Sequence, residues 1–155
     1  MATNSAALIM SIISQIEVSD FDRLYEIEQQ AHLVPWSFGT LKNNQGERYL
    51  NLKLIENNQI IGFVICQTVL DEATLFNIAI VPSHQGNGLG KLLLNELIAR
   101  LKEKGVQTLW LEVRESNPAR FLYEKIGFNE VDIRKNYYPK PSGGRENALV
   151  MACYL

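Results

Sequence analysis

The stretch Ile80-Val81-Pro82-Ser83-His84-Gln85-Gly86-Asn87-Gly88-Leu89-Gly90-Lys91 runs from an apolar segment through three alternate glycines into leucines at helical spacing. A strand that enters a helix through such a loop directs backbone N–H groups outward at the positive end of the helix dipole. That arrangement suits an anionic ligand, a pyrophosphate above all. Gly86, Gly88 and Gly90 would let phosphates approach the backbone, or would serve only a tight turn. Two nucleotide fingerprints fail on spacing. A P-loop needs four residues between its first glycine and Gly-Lys, then Ser or Thr, whereas three residues separate Gly86 from Gly90 and Leu92 follows Lys91. A dinucleotide fingerprint would need glycine at position 91, which is lysine.

Glu112 is a second candidate. Period-2 alternation over residues 109–114 sends Leu109, Leu111 and Val113 to one face and Trp110, Glu112 and Arg114 to the other. Beside Trp110 and under a neighbouring helix, the carboxylate would be partly desolvated and a better base; otherwise it is a polar-face glutamate paired with Arg114. Tyr123, in a helical stretch before Gly127 and Phe128, reads by itself as a packing residue with a wet hydroxyl. Tyr137, Tyr138 and the loop at 139–144 suit either substrate recognition or aromatic packing on a hairpin. His32 and His84 have no partner in sequence and are not expected to be catalytic. Cys66 and Cys153 lie in apolar runs without a CxxC spacing, which predicts two buried free thiols and no metal site.

The elements that must hold these residues follow from periodicity. Residues 12–18 read as a strand, and Ser19 as the cap of a helix over 20–31 carrying Phe21, Leu24, Ile27 and Ala31 on one face. A short helix is expected over 37–44. Three β-rich runs at 49–56, 60–70 and 74–81, separated by Asn57-Asn58 and Asp71-Glu72, predict an antiparallel meander. Leu89, Leu93, Leu97 and Leu101 mark a helix that Gly105 stops, with Glu96 and Arg100 paired on it. A strand at 107–114, a helix from Asn117-Pro118 to residue 126 and strands at 129–135 and 147–155 complete the order β-α-α-β-β-β-α-β-α-β-β.

With 155 residues, 46% hydrophobic and 21% charged, the chain is expected to form one domain, 1–155, with 1–10 as a frayed leader. A net charge of −2 provides no whole-protein positive field, so direct nucleic-acid binding is not expected, although it leaves room for a small basic patch. No apolar run approaches the ~20 residues of a membrane helix, and no Lys or Arg precedes the apolar stretch at 6–13, so no membrane association and a cytoplasmic location are expected.

The spacing Gln-x-x-Gly-x-Gly, filled by Gln85, Gly88 and Gly90, resembles the coenzyme A pyrophosphate loop of the GNAT superfamily of N-acetyltransferases, and the element order matches that fold along the chain after the leader. Four further stretches are similar to the bacterial ribosomal-protein-alanine N-acetyltransferases: Asn44-Gln45-Gly46-Glu47-Arg48-Tyr49, residues 71–79, residues 109–114, and Asn136-Tyr137-Tyr138-Pro139. The resemblance implies an α/β (α+β) domain with a mixed, mostly antiparallel seven-stranded sheet, a splayed central pair and about four helices. It implies acetyl-CoA as co-substrate, no metal, and the N-terminal alanine of a small-subunit ribosomal protein as acceptor.

By the same resemblance, Glu112 is the general base and Tyr123 the general acid at the thioester sulfur. Asn77, Ile78 and Ala79 offer an open backbone edge to the pantetheine, where side-chain identity matters less, and Gln85, Gly86, Asn87, Gly88, Leu89, Gly90 and Lys91 hold the pyrophosphate. Tyr137 and Tyr138 face the substrate. Asn117 would contact the pantetheine arm, but it stands six positions before Tyr123 where the family has seven, and a helix cap is its other reading. Rival functions are acetylation of lysine side chains or small amines, and a non-catalytic acyl-CoA-binding module.

Overall fold

The computed structural model describes residues 11–155; the expected leader at 1–10 lies outside the described residues. Seven strands form one sheet in the order β1-β2-β3-β4-β5-β7-β6: β1 (Ser11–Gln15), β2 (Leu52–Glu56), β3 (Gln59–Val69), β4 (Glu72–Ile80), β5 (Thr108–Arg114), β6 (Asn129–Pro139) and β7 (Arg145–Tyr154). Four α-helices, α1 (Phe21–Ala31), α2 (Phe38–Asn43), α3 (Leu89–Glu103) and α4 (Ala119–Ile126), fall in the expected order between them.

The core sits on β3. Ile61, Phe63, Val64, Ile65 and Cys66 are buried in near succession. Since consecutive side chains point to opposite faces, both faces of this strand are covered, and α1 and α3 both pack on it. Gly62 interrupts the run for a steric reason: a Cβ there would stand 2.6 Å from Ile80 Cδ1 and 2.9 Å from the Ala79 carbonyl. Cys66 and Cys153 are both free and buried.

Local differences from the sequence reading have physical causes. β1 ends at Gln15, and Ser19 lies inside a 3-10 turn, Val18–Asp20, rather than capping α1. The turn is closed by the Glu17 N–H donating to Asp20 Oδ2 at 2.7 Å. The β3–β4 turn is Leu70-Asp71 instead of Asp71-Glu72: Leu70 adopts φ 57° and the Asp71 carbonyl accepts from Gln107 N–H at 2.7 Å, so the start of β5 fixes it. β6 continues four residues beyond the expected end, through Pro139, because a bulge lets it resume pairing at Tyr138↔Glu146. That leaves a connection of only residues 140–144 between β6 and β7.

Among the described residues β4 and β5 form the single parallel pair, and they pair only over Glu72↔Thr108 to Leu75↔Leu111. At that point β4 carries an extra residue: Leu75 and Asn77 oppose Cys66 and Ile65 on β3, with Phe76 between them unpaired. Such a bulge bends and twists its strand. The two strands no longer pair beyond it, which leaves a cleft between residues 76–80 of β4 and residues 112–114 of β5.

Candidate active site

The cleft has β4 as one wall. Val81 N–H donates to Ile61 O on β3 at 2.8 Å. Strand alternation therefore turns the main-chain groups of Ile80 and Ile78 away from β3, toward the gap left by β5. The Ala79 backbone pairs on the other side, opposite Phe63. Asn77 departs from the sequence reading, because its side chain does matter: it is 7% exposed and donates through Nδ2 to Glu28 Oε1 at 3.0 Å.

At the end of β4, Gln85 Nε2 donates to the Ile80 carbonyl at 2.9 Å, anchoring the loop to the strand. Gly86 (φ 82°) and Gly88 (φ 77°) adopt left-handed backbone, and Gly88 is the residue before the first turn of α3. The first intrahelical bond runs from Leu92 N–H to Gly88 O. The N–H groups of Leu89, Gly90 and Lys91 consequently have no partner within the helix and face outward, as an anion site requires. Gly90 is not left-handed, and a Cβ on it would meet only Leu122 Cδ2, at 3.7 Å.

β5 forms the opposite wall, with the alternation expected: Leu109, Leu111 and Val113 are buried, while Trp110, Glu112 and Arg114 are half-buried on the other face. Trp110 Nε1 donates to Glu72 Oε1 at 2.7 Å. Glu112 is not paired with Arg114. Arg114 binds Glu146 at 3.3 Å and the Pro139 carbonyl at 2.8 Å, and the cation near Glu112 is Arg134 of β6, whose Nε stands 2.7 Å from Oε2. The contact has ion-pair distance without hydrogen-bond alignment, so Oε2 is a buried acceptor that receives no hydrogen bond among the described residues. Such an orphaned oxygen can accept a proton or bind a water that does.

Tyr123 of α4 is buried, its ring 5.7 Å from Phe128. Burial, then the neighbouring Tyr138, pushes its hydroxyl up to about 12, so it keeps its proton at neutral pH. Tyr138 is likewise pushed up to about 12, first by burial and then by the charge of Glu112. Tyr138 thus neighbours both Glu112 and Tyr123. The β6 bulge between Arg134 and Tyr138 re-aims this segment, and the Tyr138 ring lies 4.6 Å from the Arg114 guanidinium and 5.0 Å, edge to face, from Tyr137. Tyr137 is more exposed and stacks with Arg134 at 5.4 Å. Asn117 acts as a cap: its Oδ1 accepts from Ala119 N–H at 2.9 Å.

Sequence reasoning missed Arg134 and a buried group around Glu28. His32 has partners, contrary to the sequence reading: Nδ1 lies 3.0 Å from Glu28 Oε1 and Nε2 lies 3.1 Å from the Ile78 carbonyl. The i,i+4 spacing of Glu28 and His32 was the one available signal. His84 has partners as well, Ser83 Oγ at 2.9 Å from Nδ1 and Glu56 Oε1 at 3.7 Å from Nε2, neither of them Glu112 or Tyr123. Among the described residues no cluster of His, Cys, Asp and Glu could hold a metal ion, and no helix is long and apolar enough to cross a membrane.

Comparison with known proteins bears on what this cleft does. The model of the acetyltransferase (GNAT) family matches residues 12–128. The chain is 90% identical over 146 residues to a [ribosomal protein bS18]-alanine N-acetyltransferase of Haemophilus influenzae, covering 94% of this chain and 100% of that protein. It is 56% identical over 144 residues to the Escherichia coli K12 protein of the same name, covering 92% of this chain and 97% of the relative. The crystal structure of the ribosomal-protein-S18-alanine N-acetyltransferase from Escherichia coli superposes with a TM-score of 0.90 at 55% identity, covering 94% of each chain.

Proposed function

Because this chain belongs to the acetyltransferase (GNAT) family, we propose that it transfers the acetyl group of acetyl-CoA directly to the N-terminal alanine α-amine of a small-subunit ribosomal protein. The observation that carries this reading is the 90% identity along the full length of the Haemophilus influenzae relative that bears this activity in its name. The cleft supports it: a donor edge on β4, an anion-binding turn at α3, and a carboxylate and a protonated phenol on the facing elements.

In this reading the N–H groups of Leu89, Gly90 and Lys91, reached over Gly86, Asn87 and Gly88, hold the pyrophosphate. The pantetheine lies along Asn77, Ile78 and Ala79. The amine nitrogen forms the new C–N bond at the thioester carbon, and a β4 N–H receives the developing oxyanion. Glu112 accepts the amine's proton, directly or through water. The C–S bond then breaks, and Tyr123 gives its hydroxyl proton to the departing thiolate, recovering one from solvent. No covalent enzyme intermediate is needed. An α-amine titrates near 7.7–8.0 against about 10.4 for lysine, so an N-terminus needs only modest help from a carboxylate. Tyr137 and Tyr138 line the substrate side, Asn117 contributes as the cap of α4, and the reaction belongs in the cytoplasm with its ribosomal substrate, without nucleic acid, membrane or metal.

The test is intact mass of an alanine-initiated ribosomal-protein N-terminus after incubation with acetyl-CoA, with and without enzyme. A gain of one acetyl group that disappears when the α-amine is blocked supports the reading. Acetylation of the blocked peptide on lysine would replace it.

A further inference from the structure

The open edge of β4 differs from an ordinary unpaired strand in one respect. Its main-chain groups at Ile78 and Ile80 face the cleft, yet both carbonyls are already occupied by side chains: Ile80 O by Gln85 Nε2 and Ile78 O by His32 Nε2. What remains for a ligand is a row of N–H donors, and the carbonyl oxygens of an acyl-pantetheine are acceptors.

His32 has an acceptor at each ring nitrogen. Nδ1 faces the Glu28 carboxylate at 3.0 Å and Nε2 faces a peptide carbonyl at 3.1 Å. Neither partner has a proton to give, so the ring satisfies both only as an imidazolium with two N–H groups. Glu28 is 1% exposed, and its carboxylate accepts from Trp36 N–H at Oε2 (2.9 Å) and from Asn77 Nδ2 at Oε1 (3.0 Å), two donors that favour the ionised form beside His32. Of the elements around His32, α1 contributes the Glu28 charge, and β4 contributes the uncharged Ile78 carbonyl and Asn77 amide. The segment after α1 adds the Trp36 amide on the same carboxylate. Burial opposes the charge on His32, but its hydrogen bond and attraction to Glu28 outweigh it and hold the imidazole above its ordinary range. Burial likewise opposes the charge on Glu28, yet the His32 bond and charge leave it below its own.

We propose that His32 is a positioning residue for acetyl transfer: as an imidazolium shared by Glu28 and the Ile78 carbonyl, it takes up the acceptor on the splayed edge of β4 and leaves the Ile78 N–H to face the thioester. Loss of its second proton turns a lone pair toward one of two acceptors and frees the edge to shift. This role rests on the acetyl-CoA reading above.

The experiment measures acetyl-CoA affinity by calorimetry from about pH 7 to 9.5, above the titration of the terminal phosphate, for the wild-type chain and His32→Gln. ¹H–¹⁵N spectra follow the His32 ring with and without acetyl-CoA. The glutamine amide can donate to Ile78 O but does not titrate. Wild-type affinity should weaken about threefold or more as His32 loses its proton, acetyl-CoA should raise the His32 midpoint in return, and His32→Gln should stay flat. A ring already neutral near pH 6, a midpoint unmoved by acetyl-CoA, or parallel pH profiles in the two proteins overturns the proposal while leaving the cofactor reading intact. Absence of binding at every pH overturns both. Should His32→Gln fail to fold, the wild-type midpoint shift decides.

Discussion

Arg134 Nε on β6 stands 2.7 Å from the buried Oε2 of Glu112 on β5, reaching across the width of β7. The proposed base is therefore held by a cation from two strands away, on an oxygen that no aligned donor occupies. Glu112→Gln keeps the shape and removes the basicity. The expected loss is about 10²- to 10⁴-fold in kcat at neutral pH, recovering as the α-amine deprotonates itself near its own value of roughly 8. kcat/KM for an alanine-initiated peptide from pH 6 to 9.5 in both proteins checks this, and parallel profiles remove Glu112 from the role.

Tyr123→Phe removes the proton that burial holds on the hydroxyl at neutral pH. Turnover should fall on the order of 10²-fold or more, with acetyl-CoA affinity little changed. Wild-type turnover would reduce Tyr123 to its packing against Phe128.

The glycine loop offers a clean and a confounded test. Gly88 adopts φ 77°, so any side chain there strains the backbone whether or not phosphate binds. Gly90 has no positive φ, and a Cβ there would make only an ordinary van der Waals contact with Leu122 Cδ2, at 3.7 Å. Gly90→Val should thus leave the fold intact and still lower acetyl-CoA affinity about tenfold or more, by crowding the phosphates. Calorimetry and a melting curve together distinguish this from Gly88→Val, which should lose both binding and stability.

Gly62→Ala should destabilise the fold by about 1–3 kcal/mol, because the new methyl meets the Ala79 backbone carbonyl as well as Ile80. Urea unfolding reads the loss, and an unchanged midpoint would show that β3 and β4 can separate at no cost.

The Glu28–His32 pair sets a stability window. Glu28 is shifted down in the folded state, so its contribution is present above its ordinary value of 4.5 and is lost as pH falls through the lower, folded value. His32 is shifted up, so its contribution is full below 6.5 and is lost as pH rises through the higher, folded value. Melting temperature against pH should be highest between these limits, and Glu28→Gln should flatten both edges. A variant profile parallel to wild type would show that the pair does not govern it.

Features that depend on neighbours along the chain are legible in short stretches of residues. Alternation over residues 109–114 assigned Glu112 to the polar face of a strand, and helical spacing from Leu89 to Leu101 assigned the glycines to the turn before α3, because both patterns are local. Which side chains meet across the fold follows from how the elements pack. Arg134 reaches Glu112 in place of Arg114 because their partners on β7, Ala148 and Val150, stand two residues apart on one face, and Arg114 is taken by Glu146. His32 meets Ile78, 46 positions away, because α1 packs on β4. Asn77 became a buried donor, not just a stretch of backbone, because Glu28 came to rest against it. Pairings of this kind are fixed by strand order, bulges and helix packing, whose energies are non-local sums over the whole core that no short window of residues contains.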